Sequence, residues 1–518
     1  MSLKFFIINQ TRLQKKQQII MKKILLYILL GFSLNGYAQD PDDVLKYSWF
    51  VPHGTPRSNA LGGAMGSLGG DLSSTHINPA GLGFYKSSEF LLTSKYSKKT
   101  NNTDYFNTNT AVSSNKLNLG NLGVVLADGR RKNGWSSTAF SVSYTQIADY
   151  NNHYSFSGKN PYSSFTEKFA DQLYDNGASL TQAQQNFIYG SSLALYSKLV
   201  TPIFDKNGDI TDYRSTIPMG SLNQRNDVVT KGGYNELAFG WGGNVQDKLY
   251  LGASLNLPMI NFSKTNKFSE TGYFDFYEES SSKGFGIGAK FGLIYKVAPS
   301  LRFGFTYHTP QLIGFRDIIS AEMYSNELPK GIGSADLINN NSSVYYPKGY
   351  DYTMKTPSKA IISSSYFFAN PSKPTQPLGF ISADIELVNY AGTRFSSNDN
   401  NSEVINYYND LNYVIKNTYQ NNINFKIGSE LKLNGNWMAR AGSAFYGSPY
   451  KDANLKASQW VLSGGIGYRT EKHFIDLAIM NTMVKDAIFP YRLNEKNSYY
   501  ADYKGNHLFF NIGYGIRF

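Results

Sequence analysis

The sequence predicts an all-β fold, a 14-stranded antiparallel transmembrane β-barrel with a small N-terminal hatch, or plug, in its lumen. Three observations carry this prediction. Segment after segment alternates apolar with small or polar residues, the period-two signature of a strand with one greasy and one wet face. The connections between these segments alternate short and long, as the turns and outer loops of a membrane barrel do. The chain also ends on such a strand: Phe518, Ile516, Tyr514, Ile512, Phe510 and Leu508 are apolar, while Arg517, Gly515, Gly513, Asn511, Phe509 and His507 are mostly small or polar.

Composition agrees. Aromatic residues make up 15% of the chain and charged residues only 17%. The mean hydropathy of −0.36 is too polar for a bundle of membrane helices, whereas a barrel hides its apolar face by alternation. Cysteine is absent, which removes disulfides, thiolate metal sites and cysteine nucleophiles. Near the N-terminus Lys22 and Lys23 precede an apolar run from Ile24 to Leu34, with small residues to Ala38, the layout of a secretory signal peptide. The expected organisation is an upstream extension over residues 1–20, a signal peptide over 21–38, a hatch over 39–86 and a barrel over 87–518. Lys4, Arg12, Lys15, Lys16, Lys22 and Lys23 supply half of the formal net charge of +12, so the basicity is largely targeting sequence and implies no nucleic-acid partner.

Taken in order, the predicted strands are Ser87–Lys98, Lys116–Leu126, Trp135–Ala148, Lys231–Asn244, Asp247–Phe262, Lys283–Val297 and Leu301–Thr309. They continue as Asp351–Phe368, Leu378–Tyr390, Asn422–Leu433, Asn436–Tyr446, Ser458–Arg469, Lys472–Val484 and Asn506–Phe518. The sixth shows the logic. Phe285, Ile287, Phe291, Leu293 and Tyr295 alternate with Gly284, Gly286, Lys290, Gly292 and Lys296. A lipid-facing lysine at mid-membrane costs ~2–4 kcal/mol, so the face carrying lysine and glycine turns into the lumen. The fourteen strands are an even number, and because an open edge in lipid would leave a row of backbone groups unpaired, the sheet is expected to close. Two long outer connections carry helical patterns. Ser179 or Thr181 is placed to cap a helix running to about Leu199, with Phe187, Ile188, Leu193 and Leu195 apolar. A second helix falls within Ala391–Asn421, its apolar face including Tyr407, Tyr408 and Leu411.

Before the first strand, Gly54 to Phe84 is rich in small residues interspersed with Leu61, Met65, Leu68, Leu72 and Ile77, which suits a compact plug better than a linker. Arg57, the run Gly62-Gly63-Ala64, Asp71, and Asn78-Pro79-Ala80-Gly81-Leu82 resemble the N-terminal hatch of the FadL/OmpP1/TodX outer-membrane transport family. The resemblance covers about thirty residues of hatch; beyond it only strand number and pattern agree. It implies a 14-stranded barrel in the outer membrane that passes long-chain fatty acids or other hydrophobic compounds. In that family two adjacent acids often stand where this chain has Gly70-Asp71. A type IX protein-secretion shuttle, built on a similar barrel, is the alternative reading.

No catalytic or metal-binding constellation stands out: the histidines are scattered and no HExxH spacing occurs, so neither an enzyme nor a cofactor is expected. The expected activity is passive uptake of a hydrophobic ligand by a monomer surrounded by outer-membrane lipid and lipopolysaccharide. Arg57, Asp71, Asn78, Pro79 and Ala80 are the expected hatch and gating residues. Pro79 fixes one backbone angle and biases Asn78 towards extended geometry, leaving the Asn78 amide free to bond to strand backbone. Phe187, Ile188, Leu193, Tyr408 and Leu411 are candidates for apolar ligand contact, and Lys290, Lys426 and Arg440 for orienting a ligand's head group from the lumen.

Overall fold

Alternation becomes a wall. The computed structural model describes residues 43–130, 134–340, 349–370, 373–453, 455, 457–493 and 496–518; the expected extension and signal peptide lie outside them. The wall strands in chain order are β1 (Glu89–Tyr105), β2 (Thr108–Asp128), β3 (Trp135–Asp149), β4 (Leu222–Val245), β5 (Leu249–Glu270), β6 (Phe274–Ala298) and β7 (Leu301–His308, resuming as Leu312–Ser325). The circuit goes on through β8 (Tyr350–Lys355, resuming as Lys359–Asn370), β9 (Lys373–Asn389), β10 (Asn421–Asn434), β11 (Trp437–Tyr446), β12 (Ser458–Arg469), β13 (His473–Ile488) and β14 (Ala501–Arg517). Neighbours pair antiparallel throughout, and β1 pairs with β14 from Glu89–Arg517 to Asp104–Asp502, so the 14 wall positions form a closed barrel.

Side-chain direction follows the predicted parity. On β6, Phe285, Ile287, Phe291, Leu293 and Tyr295 lie exposed on the outer face, while Lys290 and Ile294 are buried inside. On β14, Phe510, Ile512 and Tyr514 face outward and Phe509 inward. An outward apolar face around a closed sheet is what lipid demands, because no backbone group may remain unpaired there. This is an outer-membrane β-barrel.

The strands run further than alternation indicated. The stretches read as loops at Thr100–Asn115 and Ser263–Ser282 are mostly ladder, the former closing in a two-residue turn at Phe106 and Asn107, both with positive φ. The Pro310–Tyr350 connection contains the outer half of β7. The breaks in β7 and β8 face each other, and each holds a proline, Pro310 and Pro357, which has no N–H to give the ladder. Gln311 and Thr356 bridge the breaks, Thr356 N–H donating to the Gln311 carbonyl at 2.9 Å.

Inside the barrel the described residues open with a helical turn, α1 (Asp43–Lys46), followed by α2 (Pro56–Ala60) and the 3-10 turns Leu72–Thr75 and Pro79–Phe84. The long outer connection after β3 carries α3 (Glu167–Asp175), α4 (Leu180–Gln185) and α5 (Ser191–Tyr196). The single helix expected from Ser179 or Thr181 to about Leu199 is thus two short ones, α4 and α5, and α3 precedes it. Ser179 does cap α4, in a reciprocal box with Gln182, but Gly190 interrupts the run before α5. A short helix, α6 (Ser334–Asn340), precedes β8, and α7 (Ser402–Thr418) follows β9, capped by Asn401. A closed barrel of this kind stays folded in detergent until heated. Unboiled protein from outer-membrane fractions is expected to migrate differently from boiled protein on a gel and to give a β-type circular dichroism spectrum. Identical migration with a helical spectrum would exclude the closed wall.

Candidate functional site

The hatch is wedged against the wall by backbone-to-backbone approach. A Cβ on Gly442 would lie 2.2 Å from the Leu61 carbonyl carbon, one on Gly252 2.3 Å from that of Pro79, and one on Gly304 2.3 Å from the Gly66 oxygen. Gly428 meets Leu61 at 2.4 Å in the same sense, and a Cβ on Gly292 would meet the Asn78 side-chain oxygen. Of the inward glycines that alternation marked on the sixth strand, Gly292 is one of these seats, whereas Gly284 and Gly286 meet Phe315, Leu312 and Ile313 of the wall. Gly62 turns the hatch chain at φ +64, a conformation L side chains avoid.

Polar contacts complete the fit. Asn78 accepts from the Ala80 N–H at 3.1 Å and donates to the Gly66 carbonyl at 2.6 Å and the Leu293 carbonyl at 3.4 Å. It therefore caps the Pro79–Phe84 turn, with Pro79 at its start and Ala80 fully buried, and ties that turn to the wall. Asp71 stays within the hatch, accepting from the Thr55 hydroxyl at 2.8 Å and the Ser73 N–H at 2.9 Å. Arg57 reaches Glu430 of β10 at 3.0 Å, and Glu430 also holds Arg440 at 2.7 Å. His76 bonds Glu236 at 2.8 Å on β4.

The lumen bases singled out from sequence all point inward, and all are paired. Lys290 meets Glu236 at 2.7 Å, Lys426 meets Glu386 at 2.9 Å, and Arg440 spans Glu430 and Asp476 at 2.7 and 2.6 Å. Their charge is committed to the wall before any ligand arrives.

Above the hatch lies a cavity of about 1180 Å³. Phe187 and Leu411 line it, whereas Ile188, Leu193 and Tyr408 are buried in the apolar clusters behind them. The wall adds Phe262 and Phe509, α7 adds Tyr407, and the segment leading into the hatch adds Trp49, Phe50 and His53. Phe509 was visible as the one aromatic on the otherwise wet face of the last strand. The lead-in is held by Tyr47, stacked on Phe315 at 4.6 Å, and by Lys46, whose ammonium lies 4.6 Å from the Phe262 ring.

Beside this cavity the wall ladder stops. β2 pairs with β3 only from Asn121–Thr145 to Asp128–Thr138, while Thr108 to Asn118 and Leu119 of β2 pair with β1 alone. β3 has a bulge against β4 between Gln146 and Ala148 and turns inward. There the Ile147 carbonyl accepts from the His53 N–H at 2.9 Å, and the Asp149 carbonyl from Lys99 at 2.8 Å. The continuation of β3, Asn152–Asn160, pairs with β4 and crosses the inner face of the first hairpin, where Asn101 and Thr103 donate to its carbonyls. The free stretch of β2 carries Leu117 and Leu119 on the lipid face, level with Tyr96 and Ser94 of β1. A seam thus runs through the outer part of the lipid band.

No family model and no characterised protein matches the sequence. Solved structures do. A FadL homologue from Pseudomonas aeruginosa superposes with a TM-score of 0.54 over 90% of this chain and 98% of that one, at 14% identity. The fold is FadL-type. The toluene transporter TodX from Pseudomonas putida gives a TM-score of 0.50, covering 90% of this chain and 99% of its own, also at 14% identity. Within this FadL-type barrel, hatch, cavity and seam are contiguous.

Two outcomes follow from this geometry. Removing one partner of a buried ion pair costs about 3–5 kcal/mol, lessened here because Arg440 remains on Glu430. Arg57→Ala is expected to loosen the hatch and raise single-channel conductance in planar bilayers, and Gly442→Val to do so more strongly; unchanged conductance in both would show that the seat does not hold the hatch. The second concerns Lys168 of α3, largely enclosed over the rings of Phe165 and Phe169 at 4.0 and 4.8 Å. Burial lowers its pKa to about 8 from 10.5, against the raising effect of Glu278. The undocked helix then binds more protons between those values, so docking strengthens as pH rises from about 8 towards 10.5. Proteolysis within α3 is expected to slow over that interval in the native chain and to lose this pH dependence in Lys168→Met.

Proposed function

We propose that this chain is an outer-membrane channel for passive uptake of hydrophobic compounds, long-chain fatty acids among them, gated by the N-terminal hatch. The observation that carries the reading is the contiguity of an aromatic-lined cavity, a wedged stopper beneath it and an interrupted ladder beside it. A compound entering from outside finds apolar walls in the cavity, where each buried methylene contributes ~0.8 kcal/mol. Straight ahead the hatch blocks it. Sideways, the seam between β2 and β3 offers an exit into lipid, which suits a greasy molecule and refuses water and ions. Gating then resides in the lead-in, since His53 holds the Ile147 carbonyl that β2 would otherwise take. The toluene transporter named above shares this architecture, and its cargo belongs to the same chemical class. The channel acts as a monomer with lipid on every side and uses no cofactor or catalytic group.

Deleting Ile147, the extra residue of the β3 bulge, should let β2 and β3 pair further and close the seam. Uptake of a radiolabelled fatty acid or aromatic hydrocarbon by cells making the variant is expected to fall at least about tenfold, the loss of some 1.4 kcal/mol or more in the exit step, with assembly retained. Deleting Gly54–Ile77 is expected instead to admit small polar solutes. Undiminished uptake by an assembled Ile147 deletion would rule out the lateral exit, and a hatch deletion that conducts no more than the intact chain would rule out the stopper.

A further inference from the structure

A second, smaller chamber of about 120 Å³ lies between the hatch and the wall and shares Phe50 and His53 with the large cavity above. Three lysines and two glutamates line it, and their pairing leaves one charge over. Lys290 belongs to Glu236 and Lys426 to Glu386. Lys359, the third, points inward from the start of the inner half of β8, and among the described residues its ammonium has no ion-pair or hydrogen-bond partner. The two carboxylates have little left to offer it. Glu236 already accepts from His76, Asn256, Lys290 and Gln311, and Glu386 from Asn424 and Lys426. Asp384, two residues before Glu386 on the same face, is turned to the Gly66 N–H at 3.0 Å and the Ser363 hydroxyl, and does not line the chamber.

Lys359 is half-buried and its ammonium faces the open space of the chamber, so its charge is available to a counter-ion that neither glutamate supplies. The chamber supplies a second donor for a counter-ion. The Thr309 hydroxyl accepts from the Ala289 N–H at 3.0 Å, which leaves its own hydrogen to donate. We propose that this chamber is a binding site for a single small monoanionic group, held by the Lys359 ammonium and the Thr309 hydroxyl. One chemistry has two possible sources: a free inorganic anion such as a halide, or the carboxylate of an amphiphile whose tail lies in the cavity above. The site stands on the charge count alone and does not depend on transport through the seam.

Crystals of the whole chain grown in bromide test it. An anomalous difference peak is expected within hydrogen-bonding reach of Lys359 Nζ, lost in Lys359→Met and kept in Lys359→Arg. Laurate added to the same crystals separates the sources: displacement of the bromide by laurate, with dodecanol leaving it in place, assigns the site to a carboxylate head group, whereas bromide that survives laurate assigns it to a free ion. If Lys359→Met does not assemble, the native chain still decides, because the temperature of its heat-induced gel shift should rise in bromide over the dianion sulfate at equal ionic strength. No bromide peak, no carboxylate at Lys359 and no shift in that temperature would overturn the proposal and leave Lys359 neutral or hydrated.

Discussion

Backbone touching backbone is the constraint on which the interior depends. A 14-stranded barrel encloses more space than side chains from the wall alone fill, and the chain fills it with its own N-terminal segment. For a segment to lie against the wall without voids, the wall must lack side chains where the two meet. Gly252, Gly292, Gly304, Gly428 and Gly442 stand at those places on five different strands. Glycine weakens a strand, by roughly 0.5–1 kcal/mol where measured against alanine, and here that loss is offset by close contact with the hatch. The outer face has the opposite requirement and carries large aromatics and aliphatics. One strand such as β6 satisfies both, glycine inward and phenylalanine outward.

Electrostatics follows the same division. Lys290, Lys426 and Arg440 are tied to carboxylates on other strands, and Arg57 joins the hatch to that lattice through Glu430. Each tied cation links its own strand to another through its carboxylate. Around the outer cavity the lining is aromatic and aliphatic with charges between, and there the hydrophobic term dominates any single ionic contact.

Much of this was legible in the sequence, for a physical reason. Alternation is imposed locally by the lipid on one side and the lumen on the other, so the wall strands and their inward faces could be read without tertiary knowledge. The Asn78-Pro79-Ala80 turn was legible too, since its geometry is set by neighbouring residues. What was not legible is set by partners far apart in the chain. Arg57 and Glu430 are separated by 373 residues, and nothing near Lys290, Lys426 or Arg440 announces that each is already paired. The strand extensions escaped notice because, above the lipid, both faces of a strand are polar and the alternation fades. The bulge at Ile147 shifts the phase by one residue, too small a signal against the ordinary variation of a strand.

The closing seam has a consequence for how the molecule is made. β1 pairs with β14 along its whole length, so the first strand waits for the last one, some four hundred residues later, before its second edge is covered. The hatch precedes β1 and is wedged on wall glycines from β5 to β11. It must therefore already lie on the concave side of the growing sheet when β14 docks, because afterwards there is no open edge past which a folded plug can slip. Assembly is in this sense a wrapping: the sheet curls around its own beginning, and the final seam locks the contents in.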